Sequence, residues 1–334
     1  MAAVRQHRPI GRELVLVIAA ARCYEADMGI KKLDKIWVDG SLVPWDQATD
    51  HLLAHSMHYG LGAFEGIRAY QRSDGRTAIF RLREHIDRLL DSCNICTLEP
   101  EFSRDQLMAA CVEVVRVNKI SSCYLRPLVY LGYGALGLGS FEPPVRTMIA
   151  CYEWGAYLGE DGLKHGVRCM VSSIMRANAN AAMNKGKICG QYVSSVLAKR
   201  MALKSGFEEA VMLDPQGYVA EGTGQNIFVV KHGVVRTPPT SGAILAGITR
   251  DTTIQLLREH GVEIREELIS RDELYIADEV FLTGTAAEIT PVREIDHRKI
   301  GRGEAGPVTR RLQESFFSIV KGSDGKHDSW LTYL

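Results

Sequence analysis

From Lys35 onward, short apolar runs closed by glycine turns alternate with segments of helical period, and this punctuation constrains the fold most. Residues 35–38 alternate apolar and polar, Asp39-Gly40 turns, and Leu42-Val43 returns, the pattern of a hairpin. Residues 66–70 and 77–81 flank Ser73-Asp74-Gly75 in the same way. Residues 84–95 instead place Ile86, Leu89 and Leu90 at helical spacing, and 105–117 repeat that period. Strand patterns recur at 123–131, 147–152, 167–173, 210–213, 218–221, 227–230 and 280–282. Helical patterns recur at 191–203 and 249–259, stopped by Gly206 and Gly261, and at 308–320. Hairpins mixed with helices predict an α+β architecture rather than a regular doubly wound sheet.

A chain of 334 residues has room for two domains with ample core. The expected division is an N-terminal extension of no assigned role (1–34), a small α/β domain (35–156), an interdomain loop (157–164) and a larger domain (165–334). Charge is balanced at 40 basic and 40 acidic residues, which speaks against a nucleic-acid or polybasic membrane role. The apolar run at 14–21 is short, bordered by Glu13 and followed by Arg22, Glu25 and Asp27. It reads as neither a membrane span nor a signal peptide. Among the 8 cysteines, Cys93, Cys96, Cys111 and Cys189 stand in apolar contexts and read as buried free thiols in a reducing cytosol, not as zinc ligands. A cytoplasmic enzyme is the expectation.

Several segments have the residue types of a catalytic centre. Lys185 and Lys187 flank Gly186 between a strand pattern and a helix pattern. Such a pair is most often a solvated turn; the alternative is a desolvated lysine whose neutral amine forms a Schiff base. Spacing alone ranks neither lysine above the other. Gly247 precedes a helix with Thr249 and Asp251 in its first turn, commonly a plain cap but also an anion site. Thr283-Gly284-Thr285 after a strand offers a second backbone nest. Neither segment is a Walker loop, and Gly222-Thr223-Gly224 lacks the dinucleotide fingerprint. Glu221 and Arg88 are, on their own, ordinary solvated residues. The glycine-rich stretch 132–139 reads as a connection or an active-site cover.

Taken in order, these segments resemble the branched-chain aminotransferases of the fold-type IV pyridoxal-phosphate enzymes. The resemblance runs from about Lys35 to Phe317. It is carried by His58-Tyr59-Gly60, Phe64-Glu65-Gly66-Ile67-Arg68, Tyr124-Leu125-Arg126-Pro127, Trp154-Gly155-Ala156-Tyr157, residues 184–195, Glu221-Gly222, Gly247-Ile248-Thr249-Arg250-Asp251 and Gly284-Thr285-Ala286-Ala287-Glu288. In that family the Schiff-base lysine stands five residues before a tyrosine. The resemblance therefore makes Lys187 the catalytic lysine and Tyr192 the partner of the cofactor's phenolic oxygen. It implies that Glu221 faces the pyridine nitrogen of pyridoxal 5'-phosphate. Arg88, Leu245, Ile248, Thr249 and Thr285 would complete the cofactor site. Tyr124, Thr285 and Ala286 would bind the substrate's α-carboxylate, and Arg126 the distal carboxylate of glutamate. Tyr59, Phe64, Leu136, Leu138, Trp154 and Tyr157 would line the side-chain pocket, some of them from a neighbouring subunit.

The implied function is reversible, ping-pong transamination of L-leucine, L-isoleucine and L-valine with 2-oxoglutarate. Lys187 would then move the Cα proton, and Glu221 would keep the ring an electron sink. Amino acids and 2-oxo acids are the expected partners, in a homo-oligomer of at least two subunits, with hexamers known in the family. Metal, nucleic acid and membrane are not expected. D-amino-acid aminotransferase, R-amine aminotransferase and aminodeoxychorismate lyase share the fold and the lysine. A silent cofactor-binding homologue is the non-enzymatic rival, opposed by the completeness of the lysine, glutamate, tyrosine and phosphate set. Ile188, Cys189 and Gln191 depart from the small residues that often separate lysine and tyrosine in the family.

Overall fold

A computed structural model describes residues 29–322 and 324–334. The apolar run at 14–21, with the rest of the chain up to residue 28, lies outside the described residues. The first half builds β1 (Lys35–Val38), β2 (Ser41–Pro44), β3 (Gly62–Phe64), β4 (Ile67–Gln71), β5 (Thr77–Phe80), β6 (Cys123–Leu131) and β7 (Val145–Tyr152). Its helices are α1 (His55–Tyr59), α2 (Leu82–Ile95) and α3 (Arg104–Val117). Both predicted hairpins form, and α2 and α3 start within two residues of expectation. Ser103 opens α3 through a capping box with Gln106. On α2 the buried Leu82, Ile86, Leu89 and Cys93 form one stripe at helical spacing, packed on Ile67, Ile79, Leu125 and Ile149 of the sheet.

The second half adds α4 (Gly159–His165), β8 (Val167–Val171), α5 (Ala179–Ala182), α6 (Tyr192–Lys204), β9 (Glu209–Leu213), β10 (Val219–Gly222), β11 (Asn226–Lys231) and β12 (Val234–Thr237). After these come α7 (Ile248–Glu259), β13 (Ile264–Glu266), α8 (Arg271–Tyr275), β14 (Glu279–Gly284), β15 (Glu288–Ile295), β16 (Arg298–Lys299), α9 (Pro307–Val320) and β17 (Leu331–Tyr333). The second sheet runs β10-β9-β8-β15-β14-β11-β12-β13, with β8 parallel to both its neighbours and β12 parallel to β13. The mixed helices and sheets match the α+β expectation.

Two elements tie the halves together. Tyr70, Ala78 and Phe80 of the first sheet share a core with Phe228, Phe281, Phe316 and Ile319 of the second half. Phe228 and Phe281 stack at 5.0 Å, and Phe80 meets Phe316 edge-on at 5.6 Å. The last strand then returns to the first sheet, where β17 pairs antiparallel with β5, Leu331 opposite Phe80. Sequence patterning does not find β17, nor β12, β13 and β15. Pro291 disguises β15, because a proline within an apolar run argues against a central strand. The ladder from β15 to β8 begins only at Val292, so the missing N–H of Pro291 breaks no bond there. The stretch 157–164, expected as a loop, carries most of α4, whose Glu160 and Asp161 open it and whose Lys164 and His165 close it.

The described cysteines are free, and six of the seven are buried. One Cys-x-x-Cys spacing does occur, Cys93 to Cys96 at the end of α2. Burial pushes these thiols up to about 12 and about 11, so they are poor thiolates. No metal-binding cluster occurs among the described residues. No helix among them is long and apolar enough to cross a membrane. Leu331 is buried where β17 closes the shared core. Leu331→Ala is expected to cost about 2 kcal/mol, read as a lower urea midpoint with an unchanged slope. An unchanged midpoint would show that the returning strand adds no stability.

Candidate active site

The segment from Lys187 to Gln191 is stitched to the first sheet before it enters α6. The Phe64 amide donates to the Lys187 carbonyl at 3.0 Å, and the Lys187 amide donates to Ser92 Oγ of α2 at 2.9 Å. Gly190 donates to the Gly60 carbonyl at 3.0 Å. Gly60 ends α1 at φ 72°, and a Cβ there would stand 2.9 Å from the Gly190 Cα. Gly60 is needed for this approach, and a Cβ at 190 would crowd the Gly60 carbonyl at 3.3 Å. Lys187 thereby faces a cleft of about 710 Å³, open mouth included, lined by both halves. Its Nζ donates to Tyr192 Oη at 2.6 Å. Lys185 turns away: its Nζ bonds the carbonyls of Thr240, Gly242 and Ile244. The geometry separates two lysines that spacing left equal.

Opposite Lys187 stands Glu221, at the end of β10 and almost fully buried. One carboxylate oxygen meets Arg176 Nε at 2.9 Å. The other accepts from Asn226 Nδ2 at 3.1 Å and from the Leu245 amide at 3.3 Å. Burial raises the Glu221 carboxyl above its usual range, against the pull of Arg176. Nearby, Gly247 starts α7 with no side-chain cap, so the first amides of the helix face the cleft beside Thr249. Thr285 and Ala286 line the same cleft, and Thr283 Oγ1 is buried there without a hydrogen-bond partner. Arg88 joins them from α2; its guanidinium grips the fully buried Glu65 at 2.6 and 2.9 Å and the Ala246 carbonyl at 2.9 Å.

An aromatic wall adjoins the lysine. Phe64 meets the Tyr192 ring at 5.0 Å, and Lys187 Nζ lies 4.7 Å from the Phe64 ring centre. Tyr124 is buried against Trp154 at 4.5 Å, and Trp154 touches Tyr157 at 5.7 Å. Tyr124 reaches the cleft only because residue 66 is glycine, since a Cβ there would stand 1.7 Å from Tyr124 Oη. Arg126 lies over Phe64 at 4.8 Å and Tyr124 at 5.3 Å, with its Nε buried and unpartnered.

Ten of the residues singled out in the sequence line one cleft: Arg88, Tyr124, Lys187, Tyr192, Glu221, Leu245, Ile248, Thr249, Thr285 and Ala286. Phe64, Arg126, Trp154 and Tyr157 join them through the aromatic contacts. Tyr59, Leu136 and Leu138 do not reach the cleft of their own chain; they are exposed on α1 and on the glycine-rich loop. That loop lies against α1, with Gly137 O 3.1 Å from His55 Nε2. Sequence reasoning missed Arg176, Asn226 and the Glu65–His85 pair, all charged or polar side chains without a local pattern. It also missed the role of Arg68, which bonds the carbonyls of Trp154, Gly155, Thr285 and Ala286 and so fixes two loops at the cleft.

Comparison with known proteins points the same way. The family described as amino-transferase class IV matches residues 62–295. A branched-chain-amino-acid aminotransferase of Pseudomonas aeruginosa is 49% identical over 299 residues, covering 90% of this chain and 97% of that protein. The crystal structure of the Escherichia coli branched-chain amino acid aminotransferase superposes with a TM-score of 0.88 at 44% identity, covering 90% of this chain and 99% of that one. The branched-chain amino acid aminotransferase of Thermobaculum terrenum, in its PLP-bound holo-form, superposes with a TM-score of 0.84 at 35% identity, covering 90% of this chain and 98% of that one. With a lysine-centred cleft and a match along nearly its whole described length, the chain belongs to the class IV aminotransferases and, within them, to the branched-chain-amino-acid aminotransferases.

Proposed function

We propose that this cleft transfers the amino group of leucine, isoleucine or valine to and from 2-oxoglutarate, with pyridoxal phosphate held on Lys187. The observation that carries the proposal is Lys187 Nζ at 2.6 Å from Tyr192 Oη, in one cleft with Glu221 and an uncapped helix start. The residues fit the cofactor at each end. Buried Glu221 stays raised despite Arg176, so it has room for a second cationic partner, which a protonated ring nitrogen would supply. The Ile248 backbone at the start of α7 with Thr249, Thr285 and Arg88 forms a cup for a phosphate, while the Leu245 amide serves Glu221 at the other end.

Pyridoxal phosphate, when bound, supplies a carbonyl that condenses with amines and a ring that takes up the electron pair released at Cα. With the group bound, Lys187 would give way to the incoming amine, and its Nζ is placed to take the proton from Cα and return one at the other end of the transfer. Glu221, held by Arg176 and Asn226, would take the ring nitrogen and favour its protonated form. Tyr192 Oη steadies the Nζ and the oxygen beside it. Tyr124 and the Thr285 and Ala286 amides hold the α-carboxylate. Phe64, Trp154 and Tyr157 present an apolar wall to a branched side chain, and Arg126 at its rim takes the distal carboxylate of glutamate. An apolar pocket discriminates a single methylene by only about 1–3 kcal/mol, so all three branched substrates are accepted.

We further propose a small domain at 35–156 and a large one at 165–334, joined through 157–164, and a cytoplasmic location in keeping with the free cysteines. A homodimer at least completes the site. Leu52, Met57 and Tyr59 around α1, with Tyr133, Leu136 and Leu138 of the glycine-rich loop and Phe141 just after it, expose a large apolar surface. Supplied to a partner's cleft, Tyr59, Leu136 and Leu138 finish its pocket.

Three outcomes test these roles. L-leucine should convert the visible absorption band of the cofactor-loaded protein, and 2-oxoglutarate should restore it, whereas Lys187→Ala should respond to neither. Conversion by D-alanine or an R-amine in place of L-leucine would point to another enzyme of the same fold. Arg126→Ala should lower kcat/KM for glutamate about tenfold or more, the loss of a charge-assisted contact, and affect leucine much less; equal losses refute its role. Analytical ultracentrifugation at micromolar concentration should give a dimer or larger species, and a monomer would sink the shared site.

A further inference from the structure

Glu65 carries a buried charge beside the phosphate cup that the reaction itself does not use. It sits in the turn between β3 and β4 with no solvent exposure. Its Oε1 accepts from Arg88 Nε at 2.6 Å. Its Oε2 accepts from Arg88 Nη2 at 2.9 Å and from the Gly66 amide at 3.2 Å, and lies 2.7 Å from His85 Nδ1. Arg88 Nη1 donates to the Ala246 carbonyl, just ahead of α7. The guanidinium is therefore pinned by the first sheet on one edge and by the approach to the phosphate-side helix on the other. Of its five donors, one N–H on each terminal nitrogen is left over, and Arg88 lines the cleft.

Burial alone would raise the Glu65 carboxyl, but Arg88 and His85 outweigh it and hold the group well below the usual carboxylate range. Burial lowers the proton affinity of His85. A neutral His85 therefore donates its Nδ1 proton to a carboxylate that can only accept. A buried pair of this kind adds little stability, because desolvation of both ions offsets their attraction. It does fix direction: an arginine side chain loses rotamer entropy on being ordered, and here that ordering precedes the ligand. We propose that Glu65, steadied by His85, is a positioning residue that presets the Arg88 fork for the cofactor's phosphate. The inference rests on Arg88 being a phosphate ligand, as proposed above.

The test is cofactor affinity. Full-length protein, stripped of cofactor, is titrated by fluorescence quenching with pyridoxal phosphate and, separately, with pyridoxal, which lacks the phosphate. Glu65→Gln should weaken pyridoxal phosphate by about ten- to a hundredfold, the loss of a charge-assisted bond, and leave pyridoxal unchanged. Glu65→Asp, which keeps the charge but withdraws it by one methylene, should show the same selective loss and carries the test where the glutamine variant does not fold. Arg88→Lys should weaken pyridoxal phosphate likewise, and the double variant should lose less than the two separate losses combined. Equal weakening of both ligands would mean a merely structural role and overturn the inference. So would unchanged or tighter binding of pyridoxal phosphate by the Glu65 variants while Arg88→Lys weakens it, which leaves the phosphate reading of Arg88 intact. Unchanged binding by Arg88→Lys would remove that reading and the inference together.

Discussion

The contact between Gly60 and Gly190 is the approach on which the rest of the site depends. Lys187 belongs by sequence to the second half of the chain, yet its backbone is bonded to Phe64 and Ser92 of the first. That arrangement requires the segment after the lysine to lie directly on the end of α1, closer than any two side chains allow. Once it does, the amine projects between the two sheets. Tyr192 is the first residue of α6, and its hydroxyl accepts from the lysine Nζ. The five-residue spacing from Lys187 to Tyr192 is thus the length of the stitch to the first sheet plus the single turn Cys189–Gln191 that leads into α6.

Two buried carboxylates then divide the electrostatic work, and their proton affinities move in opposite directions. Glu65 has two cationic or donating partners and stays ionised below its ordinary 4.5. Its contribution to stability is complete above that ordinary value and is lost as pH falls through the lower folded one. Glu221 has a single arginine and is raised. For the cofactor-free protein the sign reverses: its contribution is present below the ordinary value and lost as pH rises through the folded one. A cationic ring nitrogen docked against Glu221 supplies the missing partner, so ionisation of Glu221 and occupancy of the cleft favour one another. The site is built incomplete on the side where the cofactor enters and complete on the side where the protein must hold Arg88 still.

How much of this was legible in the sequence follows from the range of each interaction. The hairpins at Asp39-Gly40 and Ser73-Asp74-Gly75, α2, α3, α6, α7 and α9 are local patterns and were readable within a few residues. β17 was not, because three residues at the end of the chain become a strand only when the edge of β5 is there to receive them. β15 was masked by Pro291, whose tolerance depends on where the neighbouring ladder begins. In the site, Lys187, Tyr192 and Glu221 were legible only through the ordered motif series. Composition and spacing left Lys187 level with Lys185; the motif series ranked Lys187 first, and the carbonyls around Lys185 Nζ give the physical reason that Lys185 faces away. Arg176 and Asn226 carried no signal at all, since their meaning lies in a carboxylate 45 and 5 residues away along the chain.

The dual substrate range follows from the same geometry. A pocket for leucine needs a dry aromatic wall, and Phe64, Tyr124, Trp154 and Tyr157 supply one. A pocket for glutamate needs a cation, which in such a wall costs desolvation unless something shares it. Arg126 is placed over the faces of Phe64 and Tyr124, whose π-clouds offset part of that cost without neutralising the charge. Its Nε remains buried and unpartnered. An ion pair there would have made the arginine comfortable but unavailable, whereas two ring faces hold it ready for a carboxylate and still let an alkyl side chain pack alongside. On the roles proposed for them, the wall and the cation are one structure that serves both substrates.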